Sequence, residues 1–276
     1  MPLVTLNDVL PQGREKGYAV GAYDFMSITM MLGIMDAAEE TKTPIILQFP
    51  DVPAMAELDV LAPAMLAAAK KSSVPVVVHL DHGKSFDVVK KCVAAGFSSV
   101  MIDASTEPYE ENARLTKAVV DYCKPLGIPV EGELGHVGQG SEYDLGGYQY
   151  TDPDQAVDFV KATGISALAV AIGNAHGEYK GDPVINYEIL KAIVDRVSIP
   201  LVLHGGSGIS DADFNKIIKH GVSKINIFTE LALEARARLS KIRPEGLSVF
   251  SVEAAIREGF KSRTISKIKL FGTESI

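Results

Sequence analysis

The chain has 276 residues, of which 47% are hydrophobic and 22% are charged, and this composition excludes an intrinsically disordered protein. Its formal net charge of −8 argues against nucleic acid as a partner. No apolar run reaches the ~20 residues of a membrane-spanning helix, and no basic segment precedes an apolar one at the amino terminus. We therefore expect a cytoplasmic protein that does not bind a membrane.

Apolar, strand-like runs recur along the sequence and are separated by segments with helical periodicity. Most of these runs are continuous in Val, Ile, Leu and Ala, which is typical of strands that are covered on both faces. The eight runs span residues 18–23, 44–49, 75–80, 98–102, 128–133, 166–172, 199–204 and 224–228.

The segments between these runs carry the residues that begin and end helices. Asp152 followed by Pro153 predicts a helix start, and Gly164 predicts its end. Ser85 and Gly96 bound another helix in the same way. Strands that alternate with capped helices form parallel sheets joined by right-handed crossovers.

Eight such units fit a single (β/α)₈ barrel, a TIM barrel, better than an open sheet. We expect one domain over residues 1–276, because no linker-like stretch divides the chain. After the eighth strand, residues 229–239 and 252–270 predict two more helices. This C-terminal helical extension would cover one end of the barrel or join subunits.

The run VVVHLDHG at residues 76–83 changes from apolar to polar at Asp81 and His82. Because strand side chains alternate between faces, the two residues can serve one site only where the strand ends, and Gly83 is expected to end it. Such a pair offers a proton-transfer group next to a metal ligand. A buried Asp–His hydrogen bond without a function is the alternative.

Three histidines follow three different predicted strands. They are His82, His176 and His204, out of six in the chain. The carboxyl ends of the strands meet at one end of a TIM barrel, where active sites lie. Three imidazoles there predict a divalent metal site with an open position, although one of them alone would more often be structural.

Five motifs occur in a fixed order along the chain: HLDHG, EGELG, AIGNAHGEYKG, VLHGGSG and KINIFTE, at residues 79–83, 131–135, 171–181, 202–208 and 224–230. In this order and spacing they resemble the class II, zinc-dependent ketose-bisphosphate aldolases. The resemblance runs from about Leu6 to Gly272. It implies metal-dependent retro-aldol cleavage of a phosphorylated ketose, such as fructose or tagatose bisphosphate, to dihydroxyacetone phosphate and an aldehyde.

The resemblance also implies roles for the polar residues at the strand ends. Asp81 would transfer a proton, and His82, His176 and His204 would bind Zn²⁺. A monovalent cation is compatible with the site as well. Glu133, with Asp103 near it, would be an outer or alternative metal ligand; the alternative is a charge that only holds His82. The partner would be a small phosphorylated sugar, and the protein a homodimer or a homotetramer.

The family places a second acid–base group, a Glu, on a mobile loop after strand five. That loop spans residues 135–144 here, and Glu142 is the candidate. The loop is about one residue longer than the family pattern, so Asp144 remains an alternative. A solvated carboxylate without a catalytic role is the third possibility.

Backbone amides and small hydroxyls bind phosphate where a strand opens into a helix. The resemblance implies this task for residues that follow strands six, seven and eight. They are Gly177, Lys180, Gly205, Gly206, Ser207, Asn226 and Thr229.

The chain departs from the family where the distal phosphate of a bisphosphate binds. It has Tyr23-Asp24 where relatives commonly have an aromatic residue and Asn, and Phe49-Pro50 where relatives commonly have a Ser. A carboxylate at position 24 would repel a second phosphate. We therefore expect Asp24 to contact a substrate whose distal end is altered.

Two other functions compete with a metal-dependent aldolase. A class I aldolase needs an imine-forming lysine on a strand, and Lys224, the only lysine in the eight runs, lies at the wrong end of its strand. A non-catalytic aldolase-like partner subunit is the second alternative, but such a subunit would be expected to lose ligands.

Overall fold

The computed structural model describes residues 2–52, 57–141 and 149–275, and its parallel strands close into a barrel. Eight strands form the ring, in which each pairs with the next along the chain and the last pairs with the first. They are β2 (Val20–Asp24), β3 (Ile45–Pro50), β4 (Val76–Gly83), β5 (Ser99–Ile102), β6 (Val130–Leu134), β7 (Ala167–Val170), β8 (Leu201–Leu203) and β9 (Val222–Ile227). Each overlaps one predicted run, and the predicted TIM barrel is confirmed.

One helix precedes the first barrel strand, and helices that follow the barrel strands cover the outside of the barrel. They are α1 (Leu6–Lys16), α2 (Ile28–Thr41), α3 (Leu58–Lys71), α4 (Phe86–Ala95), α5 (Tyr109–Cys123), α6 (Pro153–Thr163), α7 (Tyr187–Val194), α8 (Asp211–Lys219), α9 (Thr229–Leu239) and α10 (Val249–Phe271). Helices α9 and α10 are the predicted C-terminal extension. None of the helices in the described ranges is long and apolar enough to cross a membrane.

The predicted helix boundaries rest on hydrogen bonds that the structure contains. The Ser85 side chain accepts from the backbone N–H of Val88, and the Asp152 side chain accepts from that of Gln155. Gly164 adopts the left-handed conformation, with a φ of 73°, that ends a helix without steric cost.

The amino-terminal segment was not predicted, and it closes the amino end of the barrel. Strand β1 (Leu3–Val4) pairs with the start of β4. Leu6 and Leu10 of α1 are buried against inward-facing apolar residues such as Val20 and Val77. This packing leaves the carboxyl end as the open end of the barrel.

The interior of the barrel becomes polar toward its carboxyl end. Along β4, the alternate residues Val77, His79 and Asp81 are all buried. The first packs in the apolar layer above α1, and the next two belong to a layer of charged and polar side chains. Because period-two alternation sends these residues to one face, the strand itself delivers Asp81 to the open end.

Candidate active site

A cleft of about 400 Å³ opens at the carboxyl end of the barrel. It is lined by residues that follow each of the eight barrel strands. The predicted site residues that line it are Asp24, Asp81, His82, Asp103, His176, Gly177, Gly205, Ser207, Asn226 and Thr229. These residues, which are distant in sequence, therefore line one cleft.

Asp81 and His82 reach the same cleft because β4 is irregular at its end. The register between β4 and β5 shifts between Leu80 and Gly83. His82 has a φ of 48°, in the left-handed region that a residue with a side chain occupies at a cost on the order of 1–3 kcal/mol. Strand β4 ends at Gly83, as predicted, and the backbone turns at His82 just before it.

The three histidines form a cluster. Nε2 of His82 lies 2.8 Å from Nδ1 of His204. The ring centroid of His176 is 4.8 Å from that of His82 and 5.8 Å from that of His204. One nitrogen of each ring lies within 4.8 Å of the others, which is the spacing of ligands around one metal ion.

Carboxylates hold two of these rings from behind. Nδ1 of His82 is 2.8 Å from Asp103 Oδ2, and Nε2 of His204 is 2.8 Å from Glu131 Oε1. A carboxylate behind a ligating imidazole fixes the ring and raises the basicity of its other nitrogen. Each ring therefore presents its remaining nitrogen to the centre of the cluster.

The charges around the cluster favour a cation at its centre. Burial alone would lower the pKa of His82, but the negative charge of Asp81 and the hydrogen bond that His82 donates to Asp103 outweigh it and raise that pKa to about 9. Burial lowers the pKa of His176 and of His204, and the positive charge of His82 lowers both further. His82 thus carries one positive charge beside three acidic groups, Asp81, Asp103 and Glu133. A bound metal ion would supply a positive charge in its place.

A second observation also fits a divalent metal ion at this site. Nε2 of His176 and Oε2 of Glu133 are buried and lack a hydrogen-bond partner among the described residues. Burial also raises the pKa of Glu133 to about 7. Unpaired buried acceptors are costly, and a metal ion would satisfy them. His82, Asp103 and Glu133 also form a second set of clustered ligand atoms.

Asp81 and Asp24 each have an amide partner on another strand of the barrel. Asn226 Nδ2 donates to Asp81 Oδ1 over 3.0 Å, and Gln48 Nε2 donates to Asp24 Oδ1 over 3.3 Å. Burial raises the pKa of Asp24 well above its usual value, and the charge of Asp81 raises it further. Both carboxyl groups line the cleft, close enough to influence each other.

The loops after β7 and β8 meet at one side of the cleft. Gly205 has a φ of 60°, and a Cβ there would lie 2.1 Å from the carbonyl oxygen of Ala175 in the neighbouring loop. The hydroxyl of Tyr179 donates to the Gly205 carbonyl and accepts from the Ala175 N–H. Two backbones can approach this closely only because residue 205 is a glycine.

Two further predicted residues, Gly206 and Lys180, do not line the cleft, and the position of a third is not described. Gly206 donates its N–H to the carbonyl of Asn226 and so joins β8 to β9. Lys180 is exposed and is not among the residues that line the cleft. Glu142 and its alternative Asp144 lie outside the described residues.

The chain matches the model of the family described as Fructose-bisphosphate aldolase class-II over residues 4–275. The chain belongs to this family. Among its relatives, the protein YdjI of Escherichia coli (strain K12) is 45% identical over 94% of each chain. A fructose-bisphosphate aldolase of Staphylococcus aureus (strain Mu50) is 38% identical over 100% of this chain and 99% of its own. The crystal structure of the YdjI aldolase superposes with a TM-score of 0.89, at 41% identity and 98% coverage of each chain.

Three polar residues of the barrel interior were not assigned a role from the sequence. Lys224 Nζ lies 2.9 Å from Glu131 Oε2, and His79 Nε2 lies 3.5 Å from the same oxygen. All three side chains are fully buried. Lys224 is thus paired inside this aldolase-family barrel, and Glu131 connects it to His204.

A signal for these residues was present in the sequence. His79 lies two residues before Asp81, Glu131 two before Glu133, and Lys224 two before Asn226. Alternation in a strand sends each such pair to the same face. Once one member of a pair is assigned to the site, the other is expected one layer deeper in the barrel.

Proposed function

We propose that this protein is a metal-dependent aldolase that cleaves a ketose phosphate into dihydroxyacetone phosphate and an aldehyde. The observation that carries the proposal is the cluster of three imidazole nitrogens next to Asp81 at the open end of the barrel. Family membership supports the lyase class. A non-catalytic partner subunit would have no use for a ligand set whose members are held by Asp103 and Glu131.

We propose His82, His176 and His204 as the ligands of a zinc ion, with Glu133 and Asp103 as residues of an alternative position. When bound, such an ion supplies Lewis-acid stabilisation of the negative charge that develops beside the substrate carbonyl. Asp103 and Glu131 hold two of the imidazoles in the orientation that binding requires.

Asp81 would take the proton from the C4 hydroxyl in the cleavage direction. One of its oxygens accepts a hydrogen bond from Asn226, which fixes the carboxylate in the cleft. Its other oxygen lies 3.9 Å from His82 Nε2, beside the proposed metal position. This geometry places a base next to the site where the ketose would be held.

A second group must handle the proton at C3, and we propose Glu142 for it, as in the family. Val137 and Gln139, which precede it, line the cleft. The backbone N–H of Val137 donates to Glu133, so the start of this loop is attached to the acidic side of the site.

The phosphate at C1 would bind between the loops after β7 and β8 and the start of α9. Gly177, Gly205, Ser207 and Thr229 line that side of the cleft. Gly206 and Asn226 would shape the pocket, and Lys180 would supply a positive charge at its edge. The beginning of α9 at Thr229 adds the positive end of a helix dipole.

The distal end of the substrate would be a hydroxylated chain rather than a second phosphate. Asp24 and Asp51 line that side of the cleft, together with Pro50 and Phe228. Lys84 is the one lysine or arginine among the described lining residues, and its Nζ is paired with Asp103 at 2.5 Å. A carboxyl group at position 24 forms a hydrogen bond with a sugar hydroxyl but offers no positive charge to a phosphate.

We also propose a single-domain homo-oligomer, a dimer or a tetramer, that acts on small phosphorylated sugars in the cytoplasm. Three large apolar side chains at and just before the start of α10 support association between copies. They are Leu247, Val249 and Phe250, which are 62%, 76% and 87% exposed.

A panel of phosphorylated ketoses tests the proposed function. The zinc-loaded protein should release dihydroxyacetone phosphate from at least one ketose 1-phosphate, detected by a coupled reductase assay. A zinc-binding protein that cleaves no member of the panel and binds no dihydroxyacetone phosphate would instead be a non-catalytic subunit.

A further inference from the structure

The loop after β8 carries the proposed phosphate-binding residues, and its far side contacts Glu230. Glu230 Oε1 accepts the N–H of Gly208 over 3.1 Å. The backbone N–H of Glu230 donates to Ser207 Oγ over 3.2 Å. Residue 230 therefore contacts two consecutive residues of the loop, one through its side chain and one through its backbone.

The C-terminal helix holds the carboxylate of Glu230. Arg263 Nε donates to Glu230 Oε2 over 2.8 Å, and Lys267 Nζ lies 2.9 Å from the same oxygen. The Lys267 side chain is 3% exposed and its ammonium lies over the ring of Phe214, 4.5 Å from the centroid. One carboxylate thus connects two cations of α10 to the loop.

Packing alone does not fix the loop on this side. A cavity of about 400 Å³ lies there, lined by Ser207 and Gly208 together with Glu230, Arg263 and Lys267. Gly208 has a φ of 98°, so its backbone adopts a conformation that favours glycine. Tyr179 and Asn226 hold Gly205 and Gly206, but Ser207 and Gly208 border the cavity and are held on this side by their hydrogen bonds with Glu230.

The contact with Ser207 also determines what its hydroxyl offers to the cleft. A serine hydroxyl has one proton to donate and accepts through its oxygen. Because the oxygen already accepts from the Glu230 N–H, the proton remains for a group in the cleft. A phosphate oxygen is an acceptor that would use it.

We propose that Glu230 is a positioning residue for the C1-phosphate subsite, which it couples to helix α10 through Arg263 and Lys267. The inference rests on the proposed function, since it assumes a phosphate at Ser207. Glu230 itself does not line the active-site cleft and acts through the loop.

Calorimetric titration of the zinc-loaded protein with dihydroxyacetone phosphate tests this role. Glu230→Gln keeps an acceptor for the Gly208 N–H but removes the charge that holds it between two cations. We expect the Kd for dihydroxyacetone phosphate to rise about tenfold, equal to about 1.4 kcal/mol, while zinc content stays unchanged. Should Glu230→Gln fail to fold, Arg263→Gln, a change at a half-exposed side chain, is expected to raise the Kd in the same direction.

Asp36→Asn is the matched control. Asp36 forms a bidentate pair with Arg257, which likewise anchors α10, but to α2 and away from the phosphate subsite. It should leave the Kd unchanged. A Kd that stays at the wild-type value in Glu230→Gln, or an equal rise in Asp36→Asn, would overturn the positioning role. If the wild-type protein does not bind dihydroxyacetone phosphate, the proposed function itself fails and this inference fails with it.

Discussion

His82 and His204 direct imidazole nitrogens at each other, with Nε2 of the first 2.8 Å from Nδ1 of the second. The far nitrogen of each ring is hydrogen-bonded to a carboxylate, Asp103 behind His82 and Glu131 behind His204. In the proposed metal site, this arrangement would orient both rings toward one central ion. It also makes Glu131, in the barrel interior, a residue on which metal affinity should depend.

Glu131→Gln is expected to weaken zinc binding by roughly 10- to 100-fold, because the amide holds His204 less firmly and leaves Lys224 unpaired. Competition with a chromophoric chelator measures the affinity. Ser99→Ala is the control, since Ser99 bonds to His79 in the same interior layer without contacting a proposed ligand. Equal zinc affinity in wild type and Glu131→Gln would show that the carboxylate does not support the site.

Asp81→Asn separates proton transfer from metal binding. The amide keeps the shape of the side chain and a contact with Asn226 but cannot accept the C4 proton. We expect cleavage to fall by about 10² to 10⁴ with unchanged zinc content, as is typical for loss of a general base. Wild-type rates in Asp81→Asn would remove Asp81 from the mechanism.

The loop carboxylates are distinguished by proton exchange. Glu142→Ala should slow exchange of the dihydroxyacetone phosphate C–H proton with solvent by about 10² or more, because the proposal assigns the C3 proton to this group. Asp144→Ala is the natural comparison and should exchange at the wild-type rate. The reverse pattern, followed by NMR in D₂O, would transfer the role to Asp144.

Asp24→Asn tests the distal end of the cleft. An ionised Asp24 about 4 Å from a phosphate would cost about 1 kcal/mol per charge pair in water and several times more in a partly buried site. At a pH above the raised pKa of Asp24, where the group is ionised, the change should therefore raise kcat/KM for a bisphosphate about tenfold. The native protein should prefer ketose 1-phosphates. A native preference for fructose or tagatose 1,6-bisphosphate that Asp24→Asn does not increase would contradict an altered distal end.

The barrel was predictable because its signals are local. Continuous apolar runs, the cap at Asp152 and the glycine at position 164 each act within a few residues, and they determine strands and helices. Helix α1 was missed since only its contacts with Val20 and Val77, inside the closed barrel, explain why its apolar face is buried.

The candidate site was predictable to the extent that its residues lie at strand ends. His82, His176 and His204 come together because parallel strands bring their carboxyl ends to one side. Two features were not predictable. One is the backbone turn at His82, and the other is the pairing of Glu230 with Arg263 and Lys267 of α10. Both depend on register and on contacts between residues far apart in sequence.

Removal and return of a divalent metal tests most directly whether the three-histidine cluster is a metal centre that cleavage requires. Dialysis against EDTA should abolish cleavage of ketose 1-phosphates, and about one zinc ion per chain should restore it. Full activity in the metal-free protein, or trapping of the substrate on a lysine by borohydride, would contradict a metal-dependent aldolase.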